Sequence, residues 1–132
     1  MTANARPHRF RFSLRTLFVV LTICGTGGYW LAKQTAYWRA SDAYAQAAAA
    51  WEADVITTAD FCKAAKQLFD AEASMPFADR GKVAAAHLAR MEGIRERVNE
   101  VIEKGCVRDP MAKQVEIDGY YAEAERLAGK GR

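Results

Sequence analysis

Few of the 132 residues in this chain are of a type that does chemistry. There are two histidines, His8 and His87, and three cysteines, Cys24, Cys62 and Cys106. A structural zinc site takes four such ligands, usually in closely spaced pairs, and no Cys-x-x-Cys or His-Glu-x-x-His pair occurs. Three cysteines are too few for a disulfide scaffold, although Cys62 and Cys106 could pair in an oxidising compartment. No Ser/His/Asp set for acyl transfer and no Walker-type phosphate loop is present.

The remaining candidates each have a plainer reading. His87 falls on an apolar helical stripe, where a packed histidine is expected rather than a ligand or base. Tyr37, Tyr44, Trp51, Phe61, Phe69, Tyr120 and Tyr121 could line a ligand groove, but at helical spacing they read as core. Glu92, Glu96, Glu100 and Glu103 form an acidic ladder that could attract a cation. Arg90, Arg95, Arg97 and Lys104 interleave with it, so a solvated face is expected. The expectation is therefore a protein with no catalysis, no cofactor and no metal.

The chain is organised instead around Arg6 to Ala32. Four arginines, Arg6, Arg9, Arg11 and Arg15, precede an uncharged run of 17 residues from Thr16 to Ala32. A bilayer core takes about 20 apolar residues as helix, with a range of roughly 17 to 25. Counting from Ser13 gives 20, with Arg15 free to snorkel to the headgroups. A cleaved signal peptide also has a basic start and an apolar stretch. Gly25-Thr26-Gly27 fits its cleavage site loosely, but Tyr29-Trp30-Leu31-Ala32 then resumes the run. A lipoprotein signal would have a small residue before Cys24, where Ile23 stands. An uncleaved anchor is the expectation, with Tyr29, Trp30, Tyr37 and Trp38 as aromatic residues at the membrane interface. The arginines ahead of the run outnumber Lys33 and Arg39 behind it, so the N-terminus is expected in the cytoplasm and the rest outside. Cys24, Gly28 and Ala32 lie four apart, a small-residue face through which two such helices could meet.

The phrase Arg11-Phe12-Ser13-Leu14-Arg15-Thr16-Leu17-Phe18-Val19-Val20 resembles the N-terminus of short single-pass membrane proteins of planctomycete bacteria. The resemblance covers about the first 32 residues. It implies an address in the bacterial inner membrane, not an activity. Trp51-Glu52-Ala53-Asp54 and Ile102-Glu103-Lys104-Gly105 are similar to the turn of the helical repeat in outer-membrane efflux proteins. This chain is too short for such a channel and lacks its strands. The second resemblance implies a helical hairpin and nothing about export.

The 16 acidic residues all lie after Lys33, and 15 of the 19 basic ones lie from Lys33 onward, so this part carries 15 − 16 = −1. The net charge of +3 is a property of the tail, and interleaved charges beyond it offer nucleic acid no basic patch. Ser13 is a candidate N-cap for a helix that meets no strong stop before Asp54. Tyr37, Ser41, Tyr44, Ala48, Trp51 and Val55 make a heptad-like, coiled-coil seam on its outer half. Thr57 and Asp60 have capping-box spacing and open a second helix to about Ser74, with Phe61, Ala65, Leu68, Ala71 and Met75 on one face. Pro76 marks a connection. A third helix carries Ala84, His87, Met91, Ile94, Val98 and Val101, has a Glu100–Lys104 pair, and stops at Gly105. Asp109-Pro110 starts a fourth, with Val115, Ile117, Tyr120, Tyr121, Ala124 and Leu127, ending near Gly129. Residues 52–72 and 103–123 match faintly at an offset of 51, as if a hairpin unit were repeated.

The expected fold is thus all-α. A basic cytoplasmic tail (1–12) leads to a transmembrane anchor (13–32) and an extracytoplasmic antiparallel bundle of about four helices (33–132). The expected role is an anchored interaction or scaffold module touching membrane lipid and a protein partner or a second copy of itself. The alternative is a module that binds a small molecule or envelope ligand between its helices. Both turns that follow the repeat should lie at one end of the bundle, bringing Cys62 and Cys106 together there.

Overall fold

The computed structural model describes residues 13–130, so Arg6, Arg9 and Arg11 lie outside the described residues. The chain is all-α: α1 (Leu14–Glu52), α2 (Thr58–Ala73), α3 (Arg80–Glu103) and α4 (Pro110–Lys130). Local chemistry sets these bounds. Ser13 Oγ accepts from Thr16 N–H at 3.2 Å and caps α1. Thr57 Oγ1 accepts from Asp60 N–H at 3.2 Å and donates to the Asp60 carboxylate at 2.8 Å. Asp79 Oδ1 takes the N–H groups of Gly81 and Lys82, and Asp109 Oδ1 takes that of Ala112. Each start therefore satisfies donors that a helix leaves open.

The two hairpin turns are built alike. After α1, Asp54 adopts φ +56°, its N–H donates to Trp51 O at 3.0 Å, and Val55 N–H donates to Ala50 O at 2.8 Å. After α3, Gly105 adopts φ +68°, its N–H donates to Ile102 O at 2.9 Å, and Cys106 N–H donates to Val101 O at 3.3 Å. Both are Schellman stops, and every participating residue is displaced by the same 51 positions. Glycine adopts this left-handed geometry without cost, and aspartate is among the few other residues that tolerate it.

Helix α2 is the hub. It packs against α1, α3 and α4, and α3 packs along α4, while the backbone of α1 keeps clear of α3 and α4. The core is Phe61, Cys62, Ala65, Met91, Ile94, Val98, Ile117 and Ala124, flanked by half-buried Tyr44, Trp51, Leu88, Tyr120 and Tyr121. Helix α1 contributes no fully buried residue. It is held at its outer half by Phe61 of α2, whose ring stacks on Tyr44 (5.4 Å) and on Trp51 (4.8 Å). Trp51 Nε1 also donates to Thr58 Oγ1 at 3.3 Å. Three ion pairs tie the other helices: Glu72 to Arg90 (α2–α3), Lys66 to Glu123 at 3.0 Å (α2–α4) and Arg95 to Asp118 at 2.9 Å (α3–α4).

Three expectations are corrected. Val55 is not on the seam: it is 74 % exposed, because the left-handed Asp54 redirects the chain and brings Ile56 against the core instead. Val115 is 70 % exposed, since the buried stripe of α4 runs through Ile117 and Ala124, and Val115 faces away from it. Glu100 pairs with Arg97 at 2.8 Å and not with Lys104. The other stripe positions are buried or half-buried as expected.

These assignments set opposite outcomes for two branched residues. Ile94→Ala removes a fully packed side chain at the centre of α3 and should lower unfolding free energy by about 2–5 kcal/mol. Val115→Ala, on the solvent side of α4, should stay within about 0.5 kcal/mol of the parent. Thermal melts of the two variants check this, and equal losses would show that the α4 stripe is wrongly placed.

Candidate functional site

The N-terminal half of α1 is the largest feature that the fold leaves unexplained. Leu14–Glu52 contains a stretch long and apolar enough to cross a membrane, and none of it is buried. Phe18, Leu21, Ile23 and Leu31 all stand more than half exposed. Contiguous apolar surface of this size marks contact with lipid or protein. Threonine hydroxyls along it are bonded back to the helix: Thr22 Oγ1 donates to Phe18 O, Thr26 Oγ1 to Thr22 O and Thr35 Oγ1 to Leu31 O, each at 2.8 Å. Hydroxyls bonded back to their own helix present little unmet polarity to an apolar medium.

Arg15 is exposed on the first turn of α1. Tyr29, Trp30 and Trp38 are exposed, and Tyr37 is half-buried. The rings of Tyr37 and Trp38 meet edge to face at 5.5 Å, and Lys33 Nζ lies 5.6 Å from the centre of Tyr29. Cys24, Gly28 and Ala32 are exposed together on α1, and nothing in the fold covers them.

At the far end, between the two Schellman turns, lies a cleft of about 450 Å³. Trp51, Ile56, Val98, Val101 and Val107 give it an apolar floor, with Glu52, Asp54, Arg97 and Lys113 among its charged lining. Cys106 also lines it, and Cys62 lies in the core near its base, within the field of Lys113 and Glu116. The two cysteines therefore share one end of the bundle, and neither is bonded. Cys62 is 1 % exposed, and burial pushes its thiol up to about 12, which makes it inert at neutral pH. The sequence gives no direct sign of this cleft, which exists because the chain turns twice at the same end.

Most of the aromatic set packs inward. Phe61 stacks on both Tyr44 and Trp51, and Phe69 stacks on His87 at 4.8 Å. The four glutamates of the ladder, Glu92, Glu96, Glu100 and Glu103, are all exposed. Among the described residues, no three His, Cys, Asp or Glu side chains converge as a metal ion would require. Compared with known proteins, the chain matches no family model, no curated sequence and no solved structure.

His87 is 4 % exposed on α3, and its Nδ1 has no hydrogen-bond partner. Burial, reinforced by Arg90 and Lys66 and opposed by Asp70 and Glu123, lowers its pKa to about 4. The folded state thus binds the proton more weakly than the unfolded chain, whose histidine titrates near 6.5. Stability is full above pH 6.5 and falls as pH drops through the window from 6.5 towards 4, by roughly 2–3 kcal/mol in total. The carboxylates held low by partners, Glu123 by Lys66 and Asp60 by Thr57, act only at the acid edge of this window. Denaturant midpoints from pH 7 to pH 4.5 should therefore fall for the parent and stay flat for His87→Phe. An equal fall in both would remove His87 as the cause.

Proposed function

We propose that this chain is a single-pass protein of the bacterial inner membrane that carries a helical domain outward and offers its far-end cleft to a protein partner. The observation that carries the reading is the exposed apolar half of α1, whose mid-span threonine hydroxyls are bonded back to the helix. The arginines at positions 6, 9, 11 and 15 favour the N-terminus inside. From Lys33 to Glu52, α1 continues for 20 residues, so the cleft stands about 30 Å beyond the membrane at 1.5 Å per residue.

The cleft suits a partner's side chain better than a catalytic role. An apolar floor with a charged rim is the anatomy of an interaction hot spot. The rings of Tyr44 and Phe61 are spent on packing α1 against α2, not on lining this cleft. A second reading rests on size: about 450 Å³ lies within the roughly 300–1,000 Å³ of small-molecule pockets. Under either reading the domain recognises something and transforms nothing.

Orientation is tested by a reporter that is active only outside the cytoplasm, fused after Arg132. Activity is expected, and a well-expressed but inactive fusion would reverse the topology. Recognition is tested by a photo-crosslinking residue at Val107 in the cleft and at Glu92 on an exposed face of α3. A discrete protein adduct from position 107 alone supports the partner reading. Equal adducts from both positions would defeat it. A co-purifying small molecule in native mass spectrometry, lost when Val107 is replaced by Asp, would move the assignment to the second reading.

A further inference from the structure

We propose that the loop between α2 and α3 is a second membrane contact, with Phe77 inserted into the outer-leaflet interface of the bilayer that α1 crosses. The inference rests on the membrane reading of α1 and assigns a lipid-binding role to a loop at the opposite end from the cleft.

Phe77 is fully exposed, the most exposed large apolar side chain among the described residues. It also adopts φ +64°, a left-handed geometry that is strongly disfavoured for a bulky residue. A strained backbone that leaves a phenyl ring fully exposed gains nothing from packing inside the protein. The compensation must come from what surrounds the loop.

Its position says what that is. Pro76 and Phe77 face Gly25, Thr26, Gly27, Tyr29 and Trp30 across an open crevice of about 550 Å³. Those α1 residues lie two to seven positions before Ala32, the last residue of the apolar run. At 1.5 Å per residue, the loop therefore reaches about 3–10 Å inside the end of the span. This is the depth at which interfacial apolar groups sit, roughly 5–10 Å into the headgroup and acyl boundary.

The loop exposes few backbone donors to that medium. Pro76 has no N–H, Met75 N–H donates to Glu72 O at 3.2 Å, and Ala78 N–H donates to Met75 O at 3.2 Å, which leaves that of Phe77 for the headgroup region. Above the loop stand basic groups that suit anionic headgroups: Lys33 on α1, then Arg80 and Lys82 on the first turn of α3 beside the capping carboxylate of Asp79. A second protein copy would also cover an apolar ring, but the loop shares its level with the span, where lipid is the surrounding phase.

The test uses the full chain in vesicles of phosphatidylethanolamine and phosphatidylglycerol, with a nitroxide on Phe77→Cys. Cys24→Ala and Cys106→Ser remove the accessible thiols, and Cys62 is left in place because it is buried. Reference labels go on Val20→Cys, in the span, and Lys104→Cys, at the far end. Collisions with oxygen report lipid, and collisions with a water-soluble nickel chelate report solvent. The label at 77 should follow that at 20, with an oxygen-to-nickel ratio several-fold above that at 104. A solvent signature at 77 with a lipid signature at 20 would overturn the loop insertion and leave the span intact. A solvent signature at 20 would overturn the span and the insertion with it. Shielding of 77 from both reagents would mean that protein covers it, which also overturns the proposal. Should the Phe77→Cys protein fail to fold, the same label on Pro76→Cys gives the same reading.

Discussion

The long helix is clasped to the domain at its outer half, around one aromatic ring. Phe61 of α2 lies between Tyr44 and Trp51 of α1, two residues spaced seven apart on one helical face. Such ring pairs contribute about 0.5–1.5 kcal/mol each beyond the area they bury. No residue of α1 is fully buried, and its backbone does not approach α3 or α4, so the rod is held along α2, by this stack, by the Trp51–Thr58 hydrogen bond and by Ala47 and Ala48 against the core. Arg90 adds a reach across from α3, with its guanidinium 6.0 Å from the Tyr44 ring. Where the rod goes, the rest follows because of this clasp.

The other three helices are arranged by a different logic. Each pairwise contact among α2, α3 and α4 combines apolar packing with one ion pair. Glu72–Arg90 is the least exposed of them, and there the unlike charges fix how α3 lies against α2. The apolar core alone, built largely of Ala, Met, Ile and Val, would permit neighbouring registers. Charged pairs placed at each side of the triangle discriminate among them, although exposed pairs add little stability of their own.

Much of this architecture was legible because helix ends have strong chemical signatures. Ser13, Thr57-Asp60, Gly105 and Asp109-Pro110 all act as their residue types suggested, and the stripe from Ala84 to Val98 lies in the core. Periodicity misleads at two positions. The seam spacing of α1 continues through Val55, but the left-handed Asp54, a backbone state that the residue type permits without announcing, ends the helix first. Val115 is apolar but lies off the buried stripe of α4, which has room for fewer positions than there are apolar residues. That both hairpin turns share one end, and that Pro76 marks a connection, was legible; the cleft between the turns and the exposure of Phe77 were not. The cleft depends on how the helices leave a gap between them, and Phe77 depends on a positive φ at a residue that usually avoids it.

The uninterrupted course of α1 has a mechanical consequence. Gly25, Gly27 and Gly28 sit within one continuous helix of 39 residues that runs unbroken from the apolar half to the clasp. Membrane helices tilt by about 20° on average to match bilayer thickness. Transmitted through a stiff lever of roughly 30 Å, such a tilt displaces its tip sideways by about 10 Å. If the apolar half of α1 spans a bilayer as proposed, the far end of the molecule swings sideways with every change in the tilt of its root.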